Sequence, residues 1–242
     1  SDVYKRQDLL RETQAQYNMV KLPGIPAFTG GLVGYLGYET IAWIEDIPSH
    51  TDSAMDVPYG VFMVFVDMVA FDHLKGSALV ISNINVEPDE DLQSQFDAAH
   101  ARVDMICESL HSDVDSQTPV WVEKSKVSSN FHQDDFESAV RKAKQYIVDG
   151  DIFQLVLSQR FQRQTSVAPA TLYRALRNIN PSPYMFHLKI NDFDIIGASP
   201  ELLVKIEDGT VEIRPIAGTR PRGNSEVEDK ALAQDLMNDE KE

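Results

Sequence analysis

Three arginines, Arg214, Arg220 and Arg222, stand within nine residues of one another, beside Gly218, Thr219 and Gly223, in a chain whose formal net charge is -16. That grouping has the chemistry of an anion site. A glycine lets backbone amides approach a ligand closely, a threonine adds a hydroxyl, and a guanidinium fork matches a carboxylate with two parallel hydrogen bonds. The loop that carries them, Pro215-Ile216-Ala217-Gly218-Thr219-Arg220-Pro221-Arg222-Gly223, needs rigid elements on both sides. Leu202, Leu203, Val204 and Ile206 predict a strand before it, and Val211, Glu212, Ile213 and Arg214 predict its return. Asp208-Gly209 between them is a hairpin signal, because glycine supplies the positive φ that the turn requires. The competing reading is a set of solvated surface charges beside a turn.

Composition excludes several classes of function. With 242 residues and 43 % hydrophobic residues, the chain is long enough for one large or two small cores. The longest apolar run, residues 61–71, is interrupted by Asp67 and is too short for a membrane span. Acidity argues against nucleic acid, since phosphate binding needs a basic face. A few grouped arginines still suffice for a small anion, because salt screens the net charge beyond about 8 Å. The N-terminus has no apolar signal core, and a single cysteine, Cys107, forms no internal disulfide. Both features agree with a cytoplasmic location.

Along the chain, residues 8–20 predict a polar helix ending before Pro23-Gly24. Residues 28–39, FTGGLVGYLGYE, read as a strand whose glycines allow close backbone approach. Residues 61–71 predict a strand buried on both faces, and residues 78–84 return antiparallel to it. Leu92, Phe96, Ala99, Val103, Ile106 and Leu110 recur at steps of three and four, giving a long helix over 89–110, on which Cys107 is a packing residue. A polar linker is expected at 112–130, and a second amphipathic helix runs from Asp134 to a stop at Gly150. Residues 152–161 predict a strand that points Gln154 and Ser158 the same way. A helix at 169–178, strands at 184–190 and 193–196, the 202–214 hairpin extending their sheet, and a helix from Glu226 complete the reading.

Three further motifs stand in order around the arginine loop. They are Gly150-Asp151-Ile152-Phe153-Gln154-Leu155-Val156-Leu157-Ser158-Gln159, then Asn180-Pro181-Ser182-Pro183-Tyr184-Met185-Phe186, then Gly197-Ala198-Ser199-Pro200-Glu201. With the loop they resemble component I of anthranilate synthase, in the chorismate-utilising family, over nearly all of the chain from Phe28 onward. The resemblance implies an α+β fold, two antiparallel sheets forming a sandwich with helices outside. It implies a partial N-terminal region over 1–111, a linker over 112–130 and a partial chorismate-binding domain over 131–242. Residues 1–7 do not match the family, and the chain reads as roughly the middle half of a longer enzyme.

The same resemblance implies the chemistry. Ammonia, delivered from glutamine by a glutamine amidotransferase subunit, attacks chorismate, and anthranilate and pyruvate result, in tryptophan biosynthesis. Gly218 and Thr219 match substrate contacts, and Arg220 stands near by to offset the ligand's charge. Mg²⁺ assists loss of the chorismate hydroxyl, and Glu242 matches the first of its glutamate ligands, with the second and the downstream ligands beyond residue 242. Gln154 matches the place where relatives that add water carry a lysine. A glutamine does not take a proton as a general base, which favours ammonia as nucleophile. Gln154 and Thr219 are therefore the expected catalytic positions. Pro183, Tyr184 and Met185 resemble the segment that binds feedback L-tryptophan, with ordinary packing as the alternative. The runner-up activity is aminodeoxychorismate synthase, which aminates without losing pyruvate. From a different class, the chain on its own is an inactive amino acid or carboxylate-binding module.

Overall fold

A computed structural model describes residues 2–47, 55–86, 89, 91–112, 125–214 and 218–239. The chain divides into two compact units, Ser1–Ser116 and Gln117–Glu242. The architecture is α+β, and every strand pairing is antiparallel. Among the described residues the strands form five two-stranded ladders rather than two wide sheets. No described helix is long and apolar enough to cross a membrane.

The first unit opens with helix α1, Asp2–Ala15. It ends five residues before the expected limit of Val20, because Tyr17, Asn18 and Val20 are weak helix formers and Val20 has no apolar surface to cover it, at 76 % exposed. Strand β1, Gly31–Leu36, pairs with β2, Gly60–Phe65. The glycines of the 28–39 segment predict close approach to another layer, but Gly34 instead meets the paired strand β2. A methyl group on Gly34 would lie 1.8 Å from the Val61 carbonyl oxygen. Only half of that segment is strand, since Tyr38–Trp43 coils into a short 3₁₀ helix.

The apolar run at 61–71 is not one strand buried on both faces. It is divided at Val66 into β2 and β3, Asp67–Asp72, and β3 pairs with β4, Ser77–Ser82. The break has a local cause. Asn83 donates to the Val66 carbonyl twice, from its backbone N at 2.8 Å and its Nδ2 at 2.9 Å, and so ties off the junction. Phe71 is 60 % exposed, so the outer face of β3 is not buried. Helix α2, Leu92–His111, starts at Asp91, whose carboxylate accepts from the Gln93 amide at 3.1 Å. Ala99 is buried on this helix, which packs on β4. Arg102 joins the layers by donating to Asp67 Oδ1, Ser82 Oγ and the Asn83 carbonyl, each at 3.1 Å. Cys107 is half-buried on the same helix.

In the second unit, β5, Val127–Ser129, pairs with β6, Phe161–Arg163. Strand β5 lies within the stretch expected to be a linker, of which residues 113–124 fall outside the described residues. Helix α3, Gln133–Asp149, ends as its sequence predicts, with Gly150 left-handed at φ 82° and its amide on the Ile147 carbonyl at 3.2 Å. The expected strand at 152–160 does not form, and the face-sharing of Gln154 with Ser158 goes with it. A strand needs a partner ladder, and here only residues 161–163 find one. Phe153 and Val156 are 92 % and 83 % exposed.

Helix α4, Pro169–Ile179, begins on its proline and packs on the hairpin of β7, Tyr184–Ile190, and β8, Phe193–Ser199. His187 on β7 hydrogen-bonds Asp194 Oδ1 at 2.6 Å, and the Tyr173 ring of α4 lies 5.8 Å from the imidazole. Ile190, at the end of β7, is 3 % exposed. Strands β9, Leu202–Glu207, and β10, Thr210–Arg214, turn through Asp208 and Gly209 at φ 50° and 77°. Positive φ at both central positions matches the twist of the flanking strands, so the Asp-Gly signal is realised. This hairpin forms its own ladder and does not extend that of β7 and β8. Helix α5, Glu226–Met237, closes the described chain.

Candidate substrate loop

The loop between β10 and α5 is described from Gly218 onward, and residues 215–217 lie outside the described part. Gly218 and Arg220 are half-buried and Thr219 is exposed. Each of the three arginines singled out by the sequence is engaged by a carboxylate of this chain. Arg214 donates from Nε to Glu212 at 2.5 Å. That hydrogen bond and the Glu212 charge raise the Arg214 pKa, and Tyr184 adds to the same effect.

Arg220 and Arg222 reach across to α5. Arg220 donates from Nε to Asp235 Oδ2 at 2.5 Å, from Nη2 to Asp239 Oδ2 at 2.9 Å, and from Nη1 to the Thr219 carbonyl at 3.2 Å. Its pKa is raised, first by the Asp235 hydrogen bond and then by that of Asp239. Arg222 forks onto Asp229, and the Gly223 amide donates to the same carboxylate at 2.9 Å. The fork and then the Gly223 amide hold the Asp229 carboxyl below the ordinary carboxylate value.

The local sequence explains why α5 begins where it does. Ser225 accepts from the Glu228 amide at 3.2 Å, and the Glu228 carboxylate reaches back to the Asn224 amide at 2.7 Å. This is the Ser-x-x-Glu capping arrangement, with the acid turned one residue further back. Gly223 has to be small, because a methyl group there would sit 2.2 Å from the Asp229 nitrogen. The result is a loop pressed on the first and last turns of one helix, with Thr219 held open to solvent. With the guanidinium charges matched internally, its chemical capacity is oriented hydrogen bonding from a fixed backbone and a hydroxyl.

The other predicted residues lie elsewhere in the second unit. Gln154 is exposed in the unpaired segment after Gly150 and makes no hydrogen bond to the loop among the described residues. Pro183 is exposed, while Tyr184 and Met185 open β7 half-buried, opposite Ser199 and Ala198. Glu242 falls outside the described residues. Among the described residues, no three His, Cys, Asp or Glu side chains converge to hold a metal ion. Asp229, Asp235 and Asp239, the acidic side chains on the loop, are already on Arg222 and Arg220.

Sequence reasoning missed Asp229, Asp235 and Asp239 as the partners of the arginines. The available signal was two arginines spaced by one residue, followed by a helix with Asp229 and Asp235 in it and Asp239 just past its end.

A family model described as chorismate binding enzyme matches residues 2–242. The chain is 40% identical over 242 residues to anthranilate synthase component 1 of Acetivibrio thermocellus, covering 97% of this chain and 49% of that protein. It is 38% identical over 240 residues to the Pseudomonas aeruginosa protein of the same name, covering 96% and 48%. The crystal structure of anthranilate synthase component I from Streptococcus pneumoniae TIGR4 superposes with a TM-score of 0.75 at 30% identity, over 96% of this chain and 50% of that one. The chain thus spans about half the length of the relatives it matches. The match includes residues 2–7, contrary to the expectation that these stand outside the family. Running from residue 2 to residue 242, with a shared fold over almost all of it, it places this chain in the family of chorismate binding enzymes.

Proposed function

We propose that this chain is part of an anthranilate synthase component 1 and carries its chorismate loop, with 1–111 as a partial N-terminal region and 131–242 as a partial chorismate-binding domain. The observation that supports this most is the loop itself, Gly218-Thr219-Arg220, held rigidly on α5 with Thr219 exposed. Chorismate is a dicarboxylate, and a backbone amide near Gly218 with the Thr219 hydroxyl suits its oxygens. Preorganised donors lose little on binding, and residues 219–223 are already tied to α5 by Arg220 and Arg222.

In this reading chorismate and ammonia give anthranilate, pyruvate and water. Nitrogen adds to the ring, the ring hydroxyl leaves, and the enolpyruvyl group departs as pyruvate. Gln154 donates or accepts a hydrogen bond but takes no proton, which suits a nucleophile that needs no general base. A partner glutamine amidotransferase supplies the ammonia. A Mg²⁺ would stabilise the departing hydroxyl; its expected ligand here, Glu242, lies outside the described residues, and the described carboxylates supply no site for it. Pro183, Tyr184 and Met185 serve an effector, L-tryptophan, by packing an aromatic and a thioether against the indole.

Product identification tests the reading. The chain, extended to the length of its relatives, is supplied with chorismate, ammonium and Mg²⁺. Anthranilate with equimolar pyruvate is expected, and Thr219→Ala should lower the rate at limiting chorismate. Aminodeoxychorismate without pyruvate overturns the assignment and moves the protein to the other aminating branch of the family.

A further inference from the structure

We propose that Arg220 is a positioning residue that straps the substrate loop to α5, and that it acts on the substrate carboxylate only through Thr219. The inference rests on the reading of the 218–223 loop as the chorismate loop and assigns its arginines a different task from direct binding.

Three of the Arg220 donors are in use at once. Nε and Nη2 hold Asp235 and Asp239, and Nη1 holds the carbonyl of Thr219, the residue whose orientation matters to a ligand. The two aspartates are four residues apart, so they rise from one side of the helix end. The Asp239 amide still bonds the Leu236 carbonyl at 3.1 Å, which continues the last turn past Met237. Two residues along the loop, Arg222 grips Asp229 near the start of the same helix. The loop therefore runs antiparallel to α5. The earlier arginine meets the later carboxylates, and the later arginine the earlier one, across the roughly 9 Å of helix rise between residues 229 and 235.

Charge argues against Arg220 as a direct ligand. Two carboxylates outweigh one guanidinium, so a dicarboxylate arriving there would have to displace charge-assisted hydrogen bonds and then face an unpaired aspartate. The pairing is also sheltered. The Arg220 and Asp239 side chains are 28% and 24% exposed, against 90% for Arg222. The strap fixes the Thr219 peptide, and its loss would leave the same hydroxyl on a looser loop.

Two readouts on the chain, extended to the length of its relatives, decide this. Chorismate is titrated calorimetrically into the parent, Arg220→Gln and the double variant Asp235→Asn/Asp239→Asn, at one ionic strength. Hydrogen exchange of amides 218–223 is followed without chorismate. A directly binding Arg220, once released from its aspartates, would bind chorismate more tightly. A strap predicts the reverse: roughly tenfold weaker binding in both variants, the order of one lost ligand hydrogen bond, with faster exchange in the loop. Tighter or unchanged chorismate binding by Asp235→Asn/Asp239→Asn overturns the proposal. Absence of chorismate binding by the parent overturns the substrate-loop reading instead, and exchange then judges the strap alone, with an unchanged loop rate sinking it.

Discussion

Arg222 holds Asp229 through two parallel hydrogen bonds, Nε to Oδ1 at 2.8 Å and Nη2 to Oδ2 at 2.6 Å. The pair is asymmetric in its surroundings, with the Arg222 side chain 90% exposed and that of Asp229 32%. Solvent and salt therefore weaken it, but the Gly223 amide shares the same carboxylate and gives the contact a second anchor.

This geometry sets a pH dependence. The Asp229 pKa is lowered by the Arg222 fork and then by the Gly223 amide. A carboxylate with a depressed folded-state pKa contributes stability above its unfolded value, about 3.9, and loses it as pH falls through the folded value. Thermal melts of the parent and Asp229→Asn, compared across pH, should differ at neutral pH and converge as pH drops below about 4. A difference that stays constant down to strongly acid pH would show that ionised Asp229 contributes nothing to the fold.

Gly223→Ala should be costly for a steric reason. Its added methyl would meet the Asp229 nitrogen at 2.2 Å and Cα at 2.7 Å, both backbone atoms that do not swing aside. The loop must lift from α5, at a cost of about 1–3 kcal/mol typical of overpacked sites. Denaturant midpoints measure it, and a midpoint equal to the parent's refutes the close approach.

Arg102→Ala is expected to weaken the first unit. Arg102 ties α2 to β3 and β4 through Asp67, Ser82 and the Asn83 carbonyl, and its ion pair with Asp67 is 33%/29% exposed. Hydrogen bonds of charged groups are worth about 1.5–3 kcal/mol when sheltered, and partial exposure reduces this to about 1 kcal/mol. Arg141→Ala is the control, because its pair with Glu137 is 68%/51% exposed. If both substitutions shift the unfolding midpoint equally, the Arg102 network carries no special weight.

Gln154→Lys changes the kind of chemistry at one position. A lysine there can serve as a base toward water, whereas the glutamine amide does not titrate. Amination should fall, because a neutral hydrogen-bonding amide is replaced by an amine that has no acceptor when charged. Chromatography of the chorismate products would reveal any hydroxylated compound. Amination at the parental rate would make Gln154 structural.

Much of the local structure could be read from neighbouring residues. Gly150 stops α3 because a left-handed residue satisfies the last carbonyls, Pro169 opens α4 because its fixed φ suits the first turn, and Asp208-Gly209 makes the β9–β10 turn because both positions take positive φ. The four motifs and their order likewise identified the family before any geometry was known. These features depend on chain stiffness and on hydrogen bonds a few residues away, which a linear pattern records.

Partnership across the fold was not recorded in that way. The run at 61–71 has the composition of one strand, yet its halves pair with different partners and Asn83 ties off Val66 between them. Residues 152–160 have strand composition without a ladder to join, so composition alone did not make them a strand. The arginines show the same division. Sequence determined that cations, glycines and a hydroxyl would share one loop. Tertiary structure decided that Arg220 and Arg222 spend their charge on Asp229, Asp235 and Asp239, because an ion pair depends on which side chains the folded backbone brings within hydrogen-bond distance.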